Sequence, residues 1–178
     1  MIYIKSIKLQ DCSLISNNIS QQPFQKEKTE MGTKAKEKIR EELLERYDNV
    51  GNFYEGLAWA HKDGKWFHIR LDKTPAYKQR YDNVGAFHEG LACARKNGKW
   101  FHIHHDGIPA YKQRYSEVGH FYEGLAWALK DGKWFHIHND GTPAYKQRYS
   151  EVGHFSEGLA WAHKDGKWFH IHNDGTPA

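Results

Sequence analysis

The sequence predicts an all-β repeat array: four stacked three-stranded meander or hairpin units, preceded by a short amino-terminal helix. Three observations lead there. A 34-residue unit recurs from Tyr47 to the end of the 178-residue chain. Each copy carries the signal of a two-residue β-turn. Glycine and proline also recur within it too often to leave room for a pair of helices.

The period can be read from several residues. Tyr47, Tyr81, Tyr115 and Tyr149 open the copies, and Trp66, Trp100, Trp134 and Trp168 follow at the same step. Such a fixed spacing is the mark of a tandem-repeat protein. The units are 47–80, 81–114, 115–148 and 149–178, the last of them unfinished at Ala178. A helix-pair repeat has a similar period, but Gly119, Gly124, Gly132 and Pro143 interrupt the third copy too closely for two helices of about 12 residues. The third and fourth copies differ only at Tyr122/Ser156 and Leu129/His163, so the informative differences lie in the first two, among them Trp59/Cys93, His61/Arg95 and Arg70/His104.

Within the third copy, Asp131-Gly132 is a type I′ hairpin signal, because both central residues of that turn need positive φ. A two-residue loop there pairs Lys130 with Lys133, Leu129 with Trp134, Ala128 with Phe135, Trp127 with His136 and Ala126 with Ile137. Opposed residues share a face. One face then holds Ala126, Ala128, Phe135 and Ile137, small against large, and is the expected core. The other holds Trp127, Trp134 and His136. By the same logic Asp140-Gly141 brings a third strand alongside, with Ala144 beside Ile137 and Tyr145 beside His136. Pro143, which donates no ladder hydrogen bond, then lies on an edge.

The pattern Y-x-x-V-G-x-F-x-E-G-L-A-x-A-x-x-x-G-K-W, followed by an aromatic strand and Asp-Gly, resembles the bacterial WG, or KWG, repeat family across all four copies. The glycine of the family's name is replaced here by Phe67, Phe101, Phe135 and Phe169. The resemblance implies a β-structured interaction module and brings no assigned chemistry.

Before the repeats, residues 1–30 read as a disordered tail and residues 31–46 as a helix that caps the first repeat. Ala35, Ile39 and Leu43 form its apolar stripe and Thr33 its N-cap. Met31 is an alternative start to Met1. Lys5, Lys8 and Asp11 break the apolar opening before a leader could form, and no stretch reaches the roughly 20 apolar residues of a membrane span. A cytoplasmic location is expected. Cys12 and Cys93 lie in unrelated contexts and form no disulfide framework.

Mean hydropathy is −0.88, and aromatic residues make up 15% of the chain, so the core has to be aromatic. Net charge is +4, but it falls from +2 in each of the first two repeats to 0 and −2 in the last two, which leaves no continuous basic platform. Nucleic acid is therefore a poor fit, even though Tyr77-Lys78-Gln79-Arg80-Tyr81 and its copies interleave basic and aromatic residues.

His102/His104, His136/His138 and His170/His172 have a spacing that metal sites use. Their aspartates belong to turns, however, and the first copy has Arg70 in the second position, so no metal and no cofactor is expected. Glu55, Glu89, Glu123 and Glu157 share one local sequence, whereas paired catalytic carboxylates need unlike environments. No enzyme is expected. The reading is a non-enzymatic protein-interaction or scaffold module. Its interaction face would be Trp59, Trp66, His68, Trp100, His102, Trp127, Trp134, His136, Trp161, Trp168 and His170. An unidentified protein is the expected partner, with self-association through the unfinished last repeat as a further route. The alternative is a small-ligand or carbohydrate binder using aromatic pockets between repeats.

Overall fold

The Asp-Gly and Asn-Gly turns form as their sequence requires. In the computed structural model, which describes residues 22–178 with side chains from Gly32 onward, Asp63, Asn97, Asp131 and Asp165 all have φ near +53°, each followed by glycine at positive φ. Each turn joins two strands in the expected register: Lys130 opposite Lys133, Leu129 opposite Trp134, Ala128 opposite Phe135, Trp127 opposite His136 and Ala126 opposite Ile137.

There are four antiparallel three-stranded sheets, one per repeat. They comprise β1 (Asn49–Val50), β2 (Leu57–Lys62) and β3 (Lys65–Arg70); β4 (Asn83–His88), β5 (Leu91–Lys96) and β6 (Lys99–Ile103); β7 (Glu117–Val118), β8 (Ala126–Lys130) and β9 (Lys133–Ile137); β10 (Glu151–Val152), β11 (Ala160–Lys164) and β12 (Lys167–Ile171).

The third strand of each sheet is not the one expected. It precedes the hairpin, so that Asn49 and Val50 pair with His61 and Ala60. A second tight turn makes this possible. In each E-G-L-A segment the glutamate and glycine both take positive φ, 53° and 76° at Glu123 and Gly124, and Tyr122 and Leu125 exchange backbone hydrogen bonds across them.

The segment after each hairpin runs along the other edge as isolated bridges, Trp134 to Tyr149 and Ile137 to Pro143. Ile137 therefore faces Pro143, not Ala144. The reason is an extra loop residue: at Asp140-Gly141 only the glycine has positive φ. The loop is a three-residue connection closed by Gly141 N–H to His138 O and by His138 N–H to Thr142 O. One added residue moves the ladder register by one, while the Tyr145 hydroxyl still reaches the His136 ring as expected.

The sheets stack in sequence order, and one continuous apolar cluster runs from Leu43 through all four repeats to Ile171. The alternation of small and large residues on the expected core face holds: Ala58, Ala60 and Ile69 are fully buried, as are Ala128 and Ile137.

The helix α1 (Gln22–Leu44) is longer than expected and includes residues 22–30, which had been placed in the tail. Pro23 falls in its first turn, where a missing N–H costs nothing, and the residues after it are helix formers. Thr33 lies inside the helix and does not cap it. The rest of the predicted tail, residues 1–21 including Met1 and Cys12, lies outside the described residues. Among the described side chains, burial increases toward the carboxy-terminal end of α1. Ala35 is exposed, Ile39 is half-buried and Leu43 is fully buried. Arg40 Nε donates to Val50 O at 2.8 Å, and Lys73 pairs with Glu42. Among the described residues no helix is long and apolar enough to cross a membrane.

Candidate functional site

Consecutive repeats are joined by polar contacts that recur with the period. His68, His102 and His136 are fully buried. His68 Nε2 lies 2.9 Å from Gly85 O in the next repeat, and His68 Nδ1 lies 2.6 Å from the Tyr77 hydroxyl. A carbonyl only accepts, so Nε2 carries the proton and donates to it, while Nδ1 accepts from the tyrosine. His102 uses Tyr111 and Gly119 in the same way, and His136 uses Tyr145 and Gly153. Each ring also packs on a phenylalanine of the next repeat, Phe87, Phe121 or Phe155, at 4.5–4.6 Å between centroids.

Burial holds these imidazoles neutral, lowering each pKa from 6.5 to about 4. Burial likewise pushes the Tyr77, Tyr111 and Tyr145 hydroxyls far above their usual range. Three of the histidines placed on the expected interaction face are thus internal joints and present nothing to a partner. Residue type and strand alternation had put them on the same face as Trp66 and Trp134, which is where they are. What could not be read is that the next repeat covers that face.

A second joint is made by the glutamates. Glu89 accepts from the backbone N–H groups of Glu123 and Gly124 at 2.8 and 2.9 Å, and Glu123 accepts from those of Glu157 and Gly158 at 2.6 and 2.9 Å. Both oxygens of Glu55 bond Gly90 N–H, and His105 Nε2 lies 3.2 Å away. Each carboxylate thus satisfies exposed donors of the next repeat's turn.

Arginine ties each repeat to itself. The Arg80, Arg114 and Arg148 guanidinium groups lie 3.8–4.0 Å over Phe67, Phe101 and Phe135 and donate to nearby carbonyls such as Tyr111 O and Gln113 O. These guanidiniums are committed to the fold.

The tryptophans divide by position. Trp59, Trp66, Trp100, Trp127 and Trp134 are half-buried. At the outer face of repeat four, Trp168 is 60% and Trp161 38% exposed, and His170 is exposed as well. Repeat two breaks the series: Cys93 takes the tryptophan position, is buried, and has a thiol pushed by burial up to about 12, far from a nucleophile's range. Among the described residues no three His, Cys, Asp or Glu side chains are grouped to hold a metal ion.

A chain made of four alike sheets, joined by periodic side-chain contacts and opened by a helix, is a tandem β-repeat module. The model of the WG containing repeat matches residues 41–66, 79–100, 113–134 and 137–168, more than half of the chain. The chain belongs to the WG-repeat family. Among solved structures it is similar to KlHsv2 with loop 6CD replaced by a Gly-Ser linker, with a TM-score of 0.51 and 8% identity over 72% of this chain and 50% of that one. The chain spans half the length of that protein, and at this identity the likeness is one of fold alone. No curated protein matches the sequence.

Proposed function

We propose that the array is a non-enzymatic protein-interaction or scaffold module whose docking surface is the outer face of repeat four. One observation carries this reading. Residues that the next repeat buries in the earlier copies stand open in the last one. His68, His102 and His136 are fully buried, whereas His170 is exposed; Leu57, Leu91 and Leu125 are buried, whereas Leu159 is 36% exposed. The Glu157 carboxylate makes no hydrogen bond among the described residues, although Glu55, Glu89 and Glu123 each hold the next turn. Exposed aromatic surface of this kind, rimmed by solvent-exposed polar groups such as Glu157, supports a protein-binding patch.

The complementary surface can be stated from the internal joints. It offers a carbonyl to His170, a flat ring to pack on it, and two adjacent N–H groups to Glu157. Another repeat of this type supplies all three. The other end of the array is occupied, because α1 lies against β1 where a preceding repeat would pack.

The test is light scattering of the full chain over a wide concentration range, with tryptophan emission recorded on the same samples, for the native protein and for Trp168→Glu. Association with a blue shift in the native chain, absent in the variant, is the expected result. A native chain that stays monomeric with water-exposed emission, and that forms no adduct when a photo-cross-linking residue at position 168 is irradiated in cell extract, removes the reading.

A further inference from the structure

The hairpin of repeat two departs from the other three on one face. Cys93 stands where they have Trp59, Trp127 and Trp161, and Arg95 stands where they have His61, Leu129 and His163. Both lie on β5 two residues apart, so they share a face.

In the other copies the indole lies flat on a glycine of the preceding strand segment. A Cβ at Gly51, Gly119 or Gly153 would lie only 2.1–2.3 Å from the ring of Trp59, Trp127 or Trp161. The same indole is 5.0–5.2 Å from the second tryptophan of its hairpin. Trp100 has no such neighbour. The imidazole of His120, reaching across from repeat three, fills part of the vacated space, with Cε1 2.9 Å from where a Gly85 Cβ would be. Cys93 Sγ is 3.8 Å from His120 Nδ1.

What remains is a groove of about 370 Å³ between repeats two and three. Asn83, Cys93, Trp100, His120, Tyr122 and Trp127 are among its walls. Its volume is in the range of small-molecule sites, roughly 300–1,000 Å³. No carboxylate lines it. Arg95 is cross-strand partner to Trp100 on one side and to Asn83 on the other, and both of these line the groove. The Arg95 guanidinium makes no hydrogen bond or ion pair among the described residues. Asp82 is bonded instead by Lys65 Nζ and by Asn97 N–H, each at 2.9 Å, contacts that hold its carboxyl low with a small further contribution from the Arg95 charge. One hairpin in four has therefore lost an indole and gained a cation on the same face, beside two residues that line the space the indole left.

We infer that this groove binds a small planar aromatic acid, its ring against Trp100 in place of the absent indole and its carboxylate on Arg95. The inference rests on the ligand-binding reading of the array and is independent of docking at repeat four, so Trp168→Glu leaves it unchanged.

The test uses the full chain with two probes, indole-3-acetate and uncharged indole, titrated by calorimetry and by ligand-observed NMR. The native chain binds the acid saturably and at least tenfold more tightly than indole. Arg95→Leu, which installs the residue of repeat three, brings the acid down to the level of indole without changing indole binding. Cys93→Trp, which restores the indole of the other copies, abolishes both, and circular dichroism establishes that each variant is folded. Absence of saturable binding to the native chain overturns the inference, as does acid binding that Arg95→Leu leaves intact. Should Cys93→Trp fail to fold, the Arg95→Leu comparison decides alone.

Discussion

The buried histidines should govern how this protein responds to acid. His68, His102 and His136 titrate near 6.5 when unfolded and near 4 when folded. The folded state therefore binds fewer protons than the unfolded state between those values. For a group whose folded pKa is depressed, the associated stability is present above the unfolded pKa and is lost as pH falls through the window from 6.5 to 4. At 1.36 kcal/mol per pKa unit, each imidazole carries roughly 3 kcal/mol across the full window and about 2 kcal/mol by pH 5. Three together come to about 9 kcal/mol, comparable with the 5–15 kcal/mol that holds a typical domain together.

In urea unfolding followed by tryptophan fluorescence, the free energy of unfolding should fall by close to 4 kcal/mol per pH unit around pH 5.3. His102→Gln keeps an N–H that reaches Gly119 O and cannot titrate. It should cost stability at pH 7 through lost packing on Phe121, and its slope should drop by one imidazole's share, about 1 kcal/mol per pH unit. His120, whose pKa burial also lowers, adds to the slope in the same window, while the lowered carboxyls of Asp72, Asp82, Asp140 and Asp174 act below it. A native chain equally stable at pH 7 and pH 5, or a His102→Gln variant with an unchanged slope, would refute the reasoning.

Three further outcomes follow from the contacts within and between repeats. Glu89→Ala removes the acceptor of two turn N–H groups and should lower stability by about 1 kcal/mol, a shift of roughly 2–4 °C in thermal unfolding, whereas Glu157→Ala should move the melt hardly at all. Gly119→Ala drives a Cβ to 2.2 Å from the rigid Trp127 ring and should cost upwards of about 2 kcal/mol. Gly85→Ala meets only the movable edge of His120 and should cost under about 1 kcal/mol in the same denaturation assay. Arg114→Ala, which uncovers Phe101 and two carbonyls, should cost about 1–2 kcal/mol, and Arg114→Lys should fail to restore it, because an ammonium does not stack flat and cannot reach both acceptors.

What could be read from residues alone was whatever depends on near neighbours in the chain. Asp131-Gly132 sets its hairpin through the φ values of two residues, and the pairing of Ala128 with Phe135 and the small-against-large core face follow by alternation. The four-fold repeat and the family are legible for the same reason, being written into every copy.

Contacts between repeats were less accessible. Nothing local distinguishes a histidine on an open face from one seated under the next sheet, and it is Gly85, Gly119 and Gly153 of the following repeat that bring a carbonyl to His68, His102 and His136. The third strand departs from the expected one because the Glu-Gly turn places a charged residue at positive φ, which its residue type does not announce, and in the later repeats a carboxylate one repeat away accepts its N–H groups. The substitution at Cys93 was visible as a difference in the alignment of the copies. Only the stacked structure showed that the difference leaves a groove, since a side chain's absence has a shape only where its neighbours on both repeats are in place.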